Sequence, residues 1–139
     1  MVRALQIAVV AAIVLIVLSF YLPRRGYQRS NDSAAIANLR TINTAELTYK
    51  VYLPSSDGTY GSMTDLIAAG LLDDGFTAIK SGYKYSLTLD ETSSVYTAEA
   101  TPASAKTGRY GYYTVPDGVV RYSTNASLAP ARKSGRYVQ

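Results

Sequence analysis

Hydrophobic and polar positions change rhythm three times along the chain. Ala4 to Leu22, ALQIAVVAAIVLIVLSFYL, is a charge-free run of 19 residues. As a helix it spans about 28 Å, close to the hydrocarbon thickness of a bilayer. The next stretch, PRRGYQRSNDS at 23–33, mixes Pro, Gly and polar groups and predicts a hinge at Pro23 and Gly26. Ser30, Asn31, Asp32 and Ser33 are all good N-cap residues. The spacing of Leu39, Ile42, Ala45, Tyr49, Tyr52 and Leu53 then predicts a second, amphipathic helix over 33–53, ending before Pro54. The opposite face of that helix carries Asn38, Thr41, Asn43, Thr44 and Thr48, which are short, neutral and poor helix formers. Arg40 and Glu46 are its charged exceptions.

After a loop, SSDGTYG, the segment SMTDLIAAG predicts a short helix with Ser62 as N-cap, Asp65 three residues on and Gly70 as a stop. Leu71 and Leu72 follow as core plugs. The period then becomes two. Tyr83, Tyr85, Leu87 and Leu89 alternate with Lys84, Ser86, Thr88 and Asp90, the pattern of a half-buried strand. VYTAEAT places Tyr96, Ala98 and Ala100 on one face, with DETSS as the hairpin loop between. RYGYYTV and VVRYS make a second hairpin around Pro116-Asp117-Gly118. About four antiparallel strands need a cover on one face, and the helix at 33–53 is the long element available. The predicted class is α+β: a long N-terminal helical spine, half transmembrane and half amphipathic, packed on a roughly four-stranded sheet. The division is an anchor or filament-core helix with hinge (1–29), a head (30–131) with Leu39, Ile42, Tyr49, Tyr83, Tyr85, Leu87 and Leu89 in its core, and a basic tail (132–139).

Charge sharpens this division. Residues 1–29 hold four Arg and no acid, residues 30–131 are net −3, and Arg132, Lys133 and Arg136 close the chain. A cleaved secretory signal would need a small-x-small site after the apolar run, and SFYLPRRG has none, so the run reads as a retained membrane anchor. Tyr21 suits the interface, and Arg24 and Arg25 suit lipid phosphates. Arg24, Arg25 and Arg29 outnumber Arg3, which by the positive-inside rule would keep the head in the cytoplasm.

The segments LRTINTAELTY, GTYGSMTDLIAAGLLD, SGYKYSLT and GYYTVPDGVVRY, spread over 34–123, resemble the type IV pilin and pseudopilin superfamily. So does the plan of an apolar N-terminal helix, a Pro and an amphipathic continuation under a sheet. The resemblance implies a head outside the cytoplasm, against the Arg count. It implies an inner-membrane monomer that assembles, with pilus or secretion machinery, into an extracellular helical homopolymer. Family members begin with a short basic leader ending in Gly, and no such leader precedes the apolar run here. Gln6, seventeen residues before Pro23, occupies the register at which the family carries a Glu. In such a fibre Ile7, Val9, Val10, Ile13, Val14, Ile16 and Val17 would form the helical core. Arg24, Arg25, Asn38, Arg40, Thr41 and Glu46 are the inter-subunit candidates. The alternatives are a pseudopilin of a type II-like secretion system and a membrane-anchored binding module that does not assemble.

Catalytic chemistry has little to work with. The chain has no His and no Cys. Lys80-Ser81 and Lys133-Ser134 are adjacent Ser–Lys pairs in loop or tail, and Asp73-Asp74 and Asp90-Glu91 are acid pairs in turns. None converges on a catalytic site, so the sequence predicts a non-enzyme with no cofactor and no metal. Asp73, Asp74 and Asp117 could lend oxygens to calcium, but in turns Asp ordinarily serves the turn. TGRYGYYT and ARKSGRYVQ interleave Arg with Tyr as single-strand binders do, which makes DNA, or another surface ligand, a further partner class. The competing readings are strand-forming Tyr in the first and a solvated end in the second.

Overall fold

The computed structural model describes residues 2–123 and 136–138, except for the side chains of 2–5, 8 and 20–25. Helix α1 runs Val2–Tyr52 without interruption. A 3₁₀ turn Pro54–Ser56 and the short helix α2, Met63–Ala68, follow. A second 3₁₀ turn at Asp74–Thr77 leads into six strands: β1 Ile79–Lys80, β2 Tyr83–Leu89, β3 Tyr96–Pro102, β4 Gly111–Thr114, β5 Arg121–Ser123 and β6 Arg136–Tyr137. All neighbours pair antiparallel in sequence order, so the sheet is a meander.

Three expectations are corrected here. The first is the membrane half of the spine, and with it the inner-membrane monomer. Among the described residues no helix is long and apolar enough to cross a membrane. The second is the hinge. Positions 23 and 26 lie within the continuous α1, and Ser30 to Ser33 do not cap a new helix. The polar groups expected to break the helix bond to the head instead. Gln28 Nε2 donates to Ala105 O at 2.9 Å and Asn31 Nδ2 to Thr107 O at 2.8 Å. Asp32 accepts from the Tyr83 hydroxyl at 2.8 Å, the Arg109 amide at 3.0 Å and Arg109 Nε at 2.7 Å. Residues 28, 31 and 32 share one helix face, so this run clamps the β3–β4 connection onto α1. Gly108 makes the clamp tight enough, since a Cβ there would come within 2.3 Å of the Tyr83 hydroxyl. The third correction is strand number. Six strands form rather than four, because Ile79–Lys80 and Arg136–Tyr137 extend the sheet at its two edges. Val138 N donates to Val120 O at 3.0 Å, so the described part of the tail is paired backbone.

The core forms where α1 crosses β3 and β4. Ala35, Leu39, Ile42 and Ala45 are buried on the helix, and Ala98, Ala100 and Tyr112 oppose them. The two alanines, fully buried, leave room for the helix to approach the sheet. Along β2 Tyr83 is buried, Tyr85, Leu87 and Leu89 are half-buried against the core, and Lys84, Ser86 and Thr88 are exposed. Tyr49 packs at the core's edge, whereas Tyr52 is exposed. Helix α2 starts with the Ser62–Asp65 capping box, and Leu66, Leu72 and Phe76 close the β1–β2 side. Asp65 is held below its ordinary pKa by the Ser62 hydroxyl and amide.

Candidate functional site

Two exposed features follow from this arrangement. The first is the N-terminal part of α1. Ile7, Val9, Val10, Ile13, Val14, Ile16 and Val17 are all exposed, as are Leu15 and Leu18, from 44% at Leu18 to 71% at Ile7. At about 100° per residue, consecutive positions 9–18 point to every side of the helix. Gln6 is exposed beside Ile7, Val10 and Ala11 around a shallow cavity of about 590 Å³.

The inter-subunit candidates separate into three groups. Arg40 and Thr41 are exposed, and Thr41 Oγ1 donates back to Ala37 O at 3.1 Å. The side chains of Pro23, Arg24 and Arg25 lie outside the described residues. Asn38 and Glu46 turn inward, correcting the expected polar contact face. Asn38 Nδ2 donates to the Tyr85 hydroxyl at 2.8 Å. Asn43 likewise donates to Thr114 Oγ1 at 3.0 Å and accepts from the Tyr96 hydroxyl. Glu46 is fully buried. Its Oε2 accepts the Gly61 amide at 2.9 Å, and its Oε1 has no partner. Burial pushes its carboxyl up to about 7, with the Gly61 amide pulling it down and Asp65 adding a smaller push upward. Ala35, Leu39, Ile42, Glu46 and Tyr49 follow a 4-3-4-3 spacing, so the signal for an inward Glu46 was present in the sequence.

The second feature is a cavity of about 680 Å³ beside α1. Tyr112 of β4 and Tyr122 of β5 face the same side of the sheet, and Arg136, paired opposite Tyr122, stands at the edge. Tyr110, Ile36, Tyr137 and Val138 also line it. The rings of Tyr110 and Tyr122 lie 5.0 Å apart at 55°, those of Tyr112 and Tyr122 6.4 Å apart at 48°. The cavity follows from widths. A helix is about 10–12 Å across and strands lie about 4.8 Å apart, so α1 covers two or three of six strands. With α2 and Phe76 over the β1–β2 side, the cover given by the described residues runs out at β5.

The remaining candidates are engaged locally. Lys80 pairs with Asp73 and lies 4.3 Å from the Phe76 ring centre, and its hydrogen bond holds the Asp73 carboxyl below its ordinary value. Asp90 accepts the Val95 amide and the Thr92 hydroxyl within its hairpin. Asp117 accepts the Val119 amide and forks with Arg121, whose guanidinium stacks near Tyr137 at 5.0 Å. Lys133 and Ser134 lie outside the described residues. No family model, characterised protein or solved structure matches the chain.

Proposed function

We propose that the protein is a structural subunit of a pilus-like helical filament, assembled through the N-terminal part of α1. One observation carries this reading: the side chains of Ile7 and of residues 9–18 are apolar and exposed on every side of the helix. A helix that is apolar all round requires burial on all sides, and a single docking stripe would not supply it. The centre of a bundle of identical helices does, and its open, head-to-tail symmetry gives a fibre. Val, Ile and Ala on these turns allow close helix approach. The described head packs an apolar core of its own between α1 and its sheet, as a projecting subunit body requires.

Val14→Lys tests this. The substitution places a charge in the proposed fibre core and leaves the head untouched. Wild-type protein is expected to sediment as long fibres under the electron microscope, and the variant to remain a folded monomer with unchanged tyrosine near-UV dichroism. Monomeric wild type, or equal fibres from both proteins, would refute the proposal.

A further inference from the structure

The two Arg- and Tyr-interleaved stretches are far apart in sequence, yet the fold brings Tyr110 and Tyr112 of one and Arg136 of the other to one cavity. We propose that this cavity binds single-stranded nucleic acid, its tyrosines taking bases and Arg136 a phosphate.

Three observations carry it. The volume of about 680 Å³ lies within the roughly 300–1,000 Å³ range of small-ligand sites. The walls are aromatic, and the part-exposed rings of Tyr110 and Tyr122 are tilted at 55° rather than stacked ring on ring, so a planar base has a π-face to meet, while Tyr112 is buried and only backs the wall. Arg136 is exposed and, among the described residues, is the one charged side chain in the lining, with no carboxylate beside it. That charge suits a phosphate and disfavours an acidic rim of the kind that binds sugar hydroxyls. The neighbouring cations do other work, since Arg109 is paired with Asp32 and Arg121 with Asp117. The inference does not depend on filament assembly.

The test uses the full chain and a fluorescently labelled 12-mer of deoxythymidine, followed by anisotropy across a salt series. The expected result is binding that is tighter than to the matching duplex. Arg136→Ala should weaken it about tenfold and lower the slope of log affinity against log salt by about 0.7, one phosphate contact on a single strand. Tyr122→Leu keeps apolar bulk but removes the stacking ring, and should weaken binding at least fivefold without changing the salt slope. Lys84→Ala, on the exposed face of β2, should change neither. Absence of binding up to about 100 µM, the weak end of non-specific association, would overturn the proposal. So would equal losses in Arg136→Ala and Lys84→Ala, or displacement of the oligonucleotide by a neutral glucose oligosaccharide.

Discussion

Glu46 makes one hydrogen bond to Gly61 and leaves its second carboxyl oxygen unpartnered inside the head. The folded state therefore favours its neutral form, and burial raises its pKa from the ordinary 4.5 to about 7. The sign of the linkage follows. Between those values the unfolded chain releases a proton that the folded chain keeps, so stability falls as pH rises through this window and levels off above about 7. The full effect is on the order of 3 kcal/mol, from the size of the shift. Glu46→Gln keeps an acceptor for Gly61 and cannot ionise. The drop in thermal midpoint between pH 5 and pH 8 should be smaller in this variant than in wild type, as read by circular dichroism. An unchanged drop would show that other groups set it. Asp32, also buried, has three donors around its carboxylate. The same residue raises the Tyr83 hydroxyl pKa, second to burial itself.

At the scale of elements, α1 serves three surfaces in succession. Residues 9–18 are exposed and apolar, residues 28–32 hold the β3–β4 connection, and Ala35 to Ala45 lie on the sheet. This order separates two substitutions that look alike in sequence. Asn38→Lys removes the bond to Tyr85 and should destabilise the head by about 1 kcal/mol. Thr41→Lys alters an exposed position and should leave stability within about 0.5 kcal/mol, while shortening fibres if neighbouring subunits approach that face. Urea midpoints and fibre lengths measured together distinguish them. The strands were legible because the alternation of 83–89 and 96–100 records an inner and an outer face. The capping box of α2 was legible for a similar reason, since Ser62 and Asp65 satisfy each other within one turn. The strand pairs at the two sheet edges were not, because two residues carry no periodicity and need a partner strand to define them.

At the scale of the whole molecule, the head and the exposed helix segment use different forces. The head is tied by buried tyrosines, Asn hydrogen bonds and the Asp32 cluster. The described side chains between Ile7 and Leu18 offer only apolar surface. Filaments held through it should survive about 1 M salt, where exposed charge pairs are screened to a few ångströms. Sedimentation across a salt series checks this, and dissolution at high salt would place the contact on charges instead.

The sequence by itself determined the local content: an apolar run that needs burial, a core stripe through Leu39 and Ile42, and strands with a period of two. These are legible because each follows from the chemistry of neighbours within a few residues. Tertiary structure decided what the ambiguous groups do. Gln28, Asn31 and Asp32 have the composition of a helix break, yet they continue the helix because the 105–109 segment offers them partners. Glu46 is inward because its turn lies under Gly61. Tyr110, Tyr112, Tyr122 and Arg136 surround a cavity because six strands are wider than the helix that covers them, and no local pattern records that width.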